Sequence, residues 1–316
     1  TTAHSFPAAY EARFAATRGP DPTAEFAALV ASQRYDPPRY VVDPVEVLDA
    51  PSYPPRRAGC VRVVCISDTH SRHDAMRGLP EGDVLVHAGD FTRKGTRTEL
   101  RSFARWVAAV PGFVRGKVVV AGNHDLQLDA VRCAALRSSR STGAVPHDDH
   151  REIKREFVET LHAAGVTYLE DDVADIAGLR FYGSPWQPQY GDWAFNLGRG
   201  APCAAAWQRI PADVDVLITH GPPLGRGDKV HDGRRAGCLD LLHQVQARVK
   251  PRVHVFGHIH EDHGATSDGT TDFVNPATCD LRYRPVQPPI VLDVPVVVPA
   301  DRGVDDEAAA RGCGCL

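Results

Sequence analysis

Five short strings carry side chains able to hold a metal ion. They are Ser67-Asp68-Thr69-His70, His87-Ala88-Gly89-Asp90, Ala121-Gly122-Asn123-His124-Asp125, Thr219-His220-Gly221-Pro222-Pro223 and Gly257-His258-Ile259-His260. Each follows a short apolar, β-branched run, so each is expected at the carboxyl end of a strand. In open α/β sheets, ligands bind beyond those ends. The candidates are Asp68, His70, Asp90, Asn123, His124, His220, His258 and His260. They offer carboxylate, amide and imidazole donors without cysteine, a mixture that suits Mn, Fe or Zn in a reactive centre rather than a structural zinc site. Side chains at i and i+2 of an extended segment point the same way, so Asp68 with His70, and His258 with His260, are expected to face one site. Gly89, Gly122 and Gly257 each precede a candidate and let the main chain approach closely. Taken singly, each string has an ordinary reading as a turn or as a core histidine. Recurrence at five strand ends makes coincidence a poor account.

The elements that must position these residues are legible in the pattern. Apolar runs at 61–66, 83–88, 117–121, 214–219, 252–256 and 290–294 read as strands buried on both faces, and Leu179 to Gly183 reads as another. Helical stripes lie between several of them. Thr98 to Val110 aligns Leu100, Phe103, Ala104 and Val107; Glu152 to Ala164 aligns Ile153, Phe157, Val158 and Leu161; Leu239 to Val249 aligns Leu242, Val245 and Val249. Strands alternating with helices indicate α/β layers. Residues 1–59 read as a peripheral arm, Pro-rich and extended from Asp36 to Arg57, with one short helix over Thr23 to Arg34 that Thr23 caps. Residues 137–151 read as a loop containing a solvated His147-Asp148-Asp149-His150 string, and 296–316 as a flexible tail.

Composition excludes several classes. The chain has 316 residues, 36 basic and 40 acidic side chains, a formal charge of −4 and 43% hydrophobic residues. That balance argues against a nucleic-acid polymer as partner and against wholesale disorder. No apolar run approaches the roughly 18 residues of a membrane span. The eight cysteines form no compact disulfide framework, and Cys65 sits inside an apolar strand, so a reducing, cytoplasmic setting is expected. The tail Cys313-Gly314-Cys315-Leu316 has the outline of a prenylation box. Its middle residues are not aliphatic and no Lys-rich segment precedes it, so membrane association is expected only if those cysteines carry lipid.

In this order, the five strings resemble the calcineurin-like metallophosphoesterase superfamily over about residues 60–294. Longer strings carry a closer similarity to the metallophosphoesterase-domain-containing phosphodiesterases first noted as brain proteins. They are Cys65-Ile-Ser-Asp-Thr-His-Ser-Arg72, His87-Ala-Gly-Asp-Phe-Thr92, Ala121-Gly-Asn-His124, Tyr182-Gly-Ser-Pro-Trp186, His220-Gly-Pro-Pro-Leu-Gly225, Val255-Phe-Gly-His-Ile-His-Glu261 and Pro288-Pro-Ile-Val291. The resemblance implies one α/β domain over 60–295, a four-layer αββα sandwich of two mixed β-sheets flanked by helices (the metallo-dependent phosphatase fold). It implies two divalent ions, with manganese favoured over iron or zinc. Asp68, His70 and His260 would hold the first, Asn123, His220 and His258 the second, and Asp90 would bridge them, with His124 as general acid. Some members lack one metal-binding histidine and are weak enzymes, whereas this chain keeps both His70 and His258.

The chemistry expected of such a centre follows from charge. Two ions (+4), Asp68 and Asp90 (−2) and a hydroxide made from a shared water (−1) leave +1, which attracts a singly charged phosphodiester. An imidazole titrates near neutral pH and can protonate the leaving oxygen. The expected partner is therefore a small phosphodiester such as a cyclic nucleotide. The stretch Trp186 to Asn196 concentrates aromatic side chains that either stack a nucleobase or pack the loop onto the domain. Arg226 and Lys229 are expected as solvated surface residues. The alternative to an enzyme is a non-catalytic interaction module on the same fold, which loss of ligand residues would mark, and none is lost. A calcineurin-type protein phosphatase fits less well: Phe91-Thr92-Arg93-Lys94 follows Asp90, not the Gly-Asp-x-Val-Asp-Arg-Gly string of those enzymes.

Overall fold

The computed structural model describes residues 21–31, 39–40, 53, 55–76, 78–138 and 150–296. Most of the Pro-rich arm, the string 147–149 and the tail beyond 296, including Cys313 and Cys315, lie outside them. The first elements are α1 (Pro22–Ala31) and β1 (Arg39–Tyr40). Thr23 is not the cap it is expected to be. Asp21 Oδ1 accepts from the Thr23 backbone N–H at 3.0 Å, and Pro22 takes the first turn, where its missing N–H costs nothing. The Thr23 hydroxyl instead accepts from Arg235 N, tying the helix to the domain.

The body then runs β2 (Cys60–Ile66), β3 (Val84–Ala88), α2 (Arg97–Ala109), β4 (Gly116–Val120), α3 (Ala130–Ser138), α4 (His150–Ala163) and β5 (Val166–Leu169). It continues with β6 (Asp172–Ile176), β7 (Leu179–Ser184), the short pair β8 (Gln187–Pro188) and β9 (Asn196–Leu197), α5 (Ala201–Trp207) and β10 (Val216–Thr219). Last come α6 (Leu239–Gln244), β11 (Val253–Val255), β12 (Gly264–Ser267), β13 (Asp272–Asn275) and β14 (Ile290–Pro295). The expected helix over Leu239 to Val249 is α6 followed by a wider π-turn over Val245–Val249.

Two mixed sheets result. One has the order β14-β2-β3-β4-β5, parallel except for β14; the other has the order β1-β12-β13-β11-β10-β7-β6, with β13, β11, β10 and β7 parallel. Alternation along the strands explains why they stack. Val61, Val63 and Cys65 of β2 face inward with Val84 and Val86, and meet Phe181, Val216, Ile218, Val253 and Val255 of the other sheet. The alternate residues Val64, Ile66 and Leu85 face outward onto Leu100, Phe103 and Val107 of α2 and Ile153, Phe157 and Leu161 of α4. On the far side Tyr182, Leu217 and Phe256 pack against Trp207 of α5 and Leu241 of α6. The order of layers is thus helix, sheet, sheet, helix. The α2 stripe is fixed at its start by a capping box, in which Thr96 Oγ1 accepts from Glu99 N and Glu99 Oε2 accepts from Thr96 N.

Two surface readings are corrected. His150 opens α4 and is buried, so it is no part of a solvated string. Arg226 is fully buried, with its guanidinium 4.8 Å from the Phe273 ring centroid, because an aromatic face offsets part of the desolvation of a cation; Lys229 is exposed as expected. Among the described residues no helix is long and apolar enough to cross a membrane.

Candidate metal centre

The parallel strands of both sheets deliver their carboxyl ends to one place. The ends of β2, β3 and β4 bring Asp68, His70, Asp90, Asn123 and His124; the ends of β10 and β11 bring His220, His258 and His260. The sheets are stitched there by Ser67 N donating to Pro276 O and Thr278 N donating to Ser67 O. Donor atoms gather in overlapping groups, Asp68 with His70 and His260, His70 with Asp90 and His124, and Asp90 with His220 and His258, each group within 4.8 Å. Asn123 Oδ1 joins the last, 2.9 Å from His220 Nε2 and 2.8 Å from His258 Nδ1. Asp90 faces both sides: its Oδ2 lies 3.8 Å from His70 Nε2 and its Oδ1 3.4 Å from His220 Nε2.

The pairing at i and i+2 does not come from strand pleat. Asp68 and His70 have φ of 51° and 43°, Asp90 has 57° and His258 has 68°. These left-handed values are costly for residues with a side chain and concentrate at functional sites. They are held by backbone bonds between strand ends, Asp68 N to Gly89 O and His70 N to Asp90 O, both 2.9 Å. His258 and His260 both reach the cluster, His260 beside Asp68 and His70 and His258 beside Asp90 and His220.

Three features show that the residues fit a cation centre. The first is imidazole orientation. His220 Nδ1–H donates to Ala88 O at 2.9 Å and His260 Nδ1–H to Asp280 O at 3.2 Å, leaving each Nε2 turned inward. An outer hydrogen bond of this kind orients a metal-ligating histidine. Next, His70 Nε2 and His260 Nε2 converge to 3.1 Å, with Asp68 Oδ1 3.8 Å from the first and 3.3 Å from the second. The last is the glycine cradle. A Cβ on Gly122 would lie 2.3 Å from Asp90 Oδ1, one on Gly257 2.2 Å from Asp68 Oδ2, and one on Gly89 2.4 Å from His220 Nδ1.

A model of the calcineurin-like phosphoesterase family matches residues 61–262. Metallophosphoesterase domain-containing protein 1 of Homo sapiens is 44% identical over 285 residues, covering 87% of this chain and 82% of that protein; the Mus musculus protein of the same name gives the same figures. UPF0046 protein T07D4.2 of Caenorhabditis elegans is 38% identical over 261 residues, covering 79% of this chain and 63% of its own. The chain belongs to the calcineurin-like phosphoesterase family. That family is one of metal-binding phosphoric-ester hydrolases.

In this phosphoesterase the electrostatics of the cluster call for positive charge. Asp68 and Asp90 are fully buried, and burial alone would raise both carboxyls. The hydrogen bond and charge of His260 hold Asp68 below the usual carboxylate range, and the charges of His220 and His124 hold Asp90 well below it. Burial also opposes charge on His220, but Asp90 outweighs it and pushes the imidazole up to about 9; the hydrogen bond to Asp68 likewise raises His260. Burial lowers His70 to about 4 and His258 to about 3. Two buried carboxylates thus depend on cationic neighbours, the role that divalent ions fill best.

His124 lies at the mouth. Its Nδ1–H donates to Arg93 O at 2.8 Å, its Nε2 lies 4.0 Å from Asp90 Oδ2, and Trp193 stacks on its ring at 4.0 Å between centroids. The aromatic stretch therefore divides. Trp186 donates to Asp171 and packs edge-on against the buried Phe195, while Tyr190, 58% exposed, meets His258 edge-on.

Two residues escape sequence reasoning. Asp125 is buried and accepts from Gly122 N, Asp90 N, Thr92 N and Thr92 Oγ1, a strut beneath the Asp90 and Asn123 turns; its place after His124 was the only signal. Tyr283 stands edge-on to His70 at 4.8 Å with Arg93 over its ring at 5.0 Å. It arrives from a turn far along the chain and carries no local signature.

Proposed function

We propose that the chain is a dinuclear phosphodiesterase acting on small diesters such as cyclic nucleotides. The observation that carries this reading is Asp90, whose two carboxylate oxygens are shared between two ligand groups with His124 beside them. Asp68, His70 and His260 would hold one divalent ion and Asn123, His220 and His258 the other, with Asp90 placed to serve both; manganese is the favoured metal. Bound there, such ions would supply Lewis acidity and lower the pKa of water towards neutrality.

The remaining work falls to the protein. The carbonyl of Arg93 can only accept, so it fixes His124 Nδ1 as a donor and leaves Nε2 turned toward the cluster. A proton held at Nε2 passes to the leaving oxygen as the phosphorus–oxygen bond breaks. Trp193 keeps the ring in that plane. Tyr190 and Trp193 at the mouth offer flat surfaces to a base, which favours a nucleotide diester over a phosphoprotein.

The test is His124→Ala assayed on two diesters. Both ions should remain bound. Turnover should fall by about 10²–10⁴-fold on a diester with an alkoxide leaving group. It should fall far less on a nitrophenyl diester, whose leaving group needs no proton. Equal losses on both substrates, or none, would remove the general-acid role.

A further inference from the structure

A second group of metal-ligating side chains lies away from the strand ends. Cys203 in α5, with Cys238 and Asp240 at the start of α6, places two thiols and a carboxylate together, all donor atoms within 4.8 Å of one another. Both cysteines are fully buried where α5 and α6 pack on the seven-stranded sheet, whereas Asp240 is half-buried and gives water access. We propose that Cys203, Cys238 and Asp240 form a separate zinc site with a water in the fourth position.

Geometry, donor type and charge each support it. Zinc–sulfur bonds of about 2.3 Å and zinc–oxygen bonds of about 2.0–2.2 Å put tetrahedral ligands about 3.5–3.8 Å apart. The donor atoms, within 4.8 Å of one another, close to that spacing by about 1.3 Å at most, within reach of small side-chain rotations. Thiolates are soft ligands that select zinc over manganese. The strand-end donors are oxygen and imidazole nitrogen, so the two centres sort metals by chemistry. Two thiolates and a carboxylate carry −3, an ion carries +2, and Arg199 supplies +1, giving −3 + 2 + 1 = 0. The Arg199 guanidinium is held beside the group by Ala236 O at 2.8 Å and Gly237 O at 2.7 Å, immediately before Cys238. Outer donors are also in place: Trp207 Nε1–H donates to Cys238 Sγ at 3.3 Å and Gly200 N to Asp240 Oδ2 at 3.2 Å. Such bonds steady a ligand in position. An ion there pins α5 to α6 on the opposite face of the sheet from the strand-end centre's stitching to β2.

Cobalt reports on this site without reference to any activity. The metal-free full chain is titrated with Co²⁺ and the near-ultraviolet thiolate-to-cobalt charge-transfer band is followed. The strand-end centre contains no sulfur and cannot produce it. The expected result is a band whose full intensity corresponds to one thiolate-bound cobalt per chain, reached within three equivalents because the strand-end centre takes up two without producing it; the band is displaced by Zn²⁺, survives Cys313→Ser with Cys315→Ser, and disappears in Cys203→Ala with Cys238→Ala. Asp240→Asn, at a half-exposed position that leaves the buried packing intact, should weaken cobalt binding at least tenfold while circular dichroism stays unchanged. Absence of the band in the unmodified chain overturns the proposal. So does a band that persists in the Cys203→Ala, Cys238→Ala variant, one that depends on Cys313 and Cys315, or one indifferent to Asp240→Asn.

Discussion

Gly122→Ala isolates the crowding that the centre imposes on its backbone. The added methyl would sit 2.3 Å from Asp90 Oδ1, 2.4 Å from Asp90 N and 2.7 Å from His220 Cε1, and ordinary contact begins at 3.4 Å. Asp90 must therefore retreat by about 3.4 − 2.3 = 1.1 Å. Gly122 does not have a positive φ, so alanine brings no backbone strain and the effect is steric alone. Overpacking of this kind costs about 1–3 kcal/mol of stability, a loss of a few degrees in melting temperature that the fold survives. The functional cost is larger. Metal–ligand distances tolerate only about 0.2 Å, and a misplacement of about 1 Å can lower turnover by about 10²-fold. The variant should be purified, its metal content measured after gel filtration, and its diester turnover compared with Gly78→Ala, a control position with no atom within 4 Å. A Gly122→Ala protein that keeps the metal content and turnover of the control would refute the claim that the close approach at Gly122 serves the ligands.

Two further outcomes follow from the same geometry. Asp125→Ala leaves the backbone N–H groups of Asp90, Thr92 and Gly122 buried without their acceptor, at about 1–3 kcal/mol each; urea denaturation should show a loss of at least about 3 kcal/mol, and a loss below 1 kcal/mol would mean that water replaces the strut. Chelation of the bound metals should lower the melting temperature, since an ion held at 100 times its dissociation constant stabilises by about 2.7 kcal/mol; an unchanged melting curve after complete metal removal would contradict a site built into the fold.

The sequence showed the strands and their ends well because each inward run is β-branched and apolar and each end changes abruptly to Gly, Asp, Asn or His. Val61 to Ile66 and Ser67 to His70 are the plainest case, and β2 spans Cys60–Ile66. The layer order was legible through family resemblance rather than through periodicity. Short strands such as β8 and β9, and the edge strand β6 with its exposed positions, have no apolar run to betray them. The route by which Asp68 meets His70 differs from the expected strand pleat, since left-handed backbone at non-glycine residues is set by tertiary hydrogen bonds that no local pattern records. Tyr283 and Trp193 reach His70 and His124 only through the folded loops, and Arg226 is buried because Phe273, distant in sequence, lies under it.

Asp90 is the residue on which the account turns, so the most direct measurement compares metal content and hydrolysis of a panel of phosphodiesters and monoesters for the unmodified chain and for Asp90→Ala. The unmodified chain should carry about two divalent ions and prefer diesters, and Asp90→Ala should lose at least one ion and essentially all turnover. An unmodified chain that binds no metal and cleaves no ester, or an Asp90→Ala chain that matches it in both respects, contradicts the account; the former result points to an interaction module on this fold.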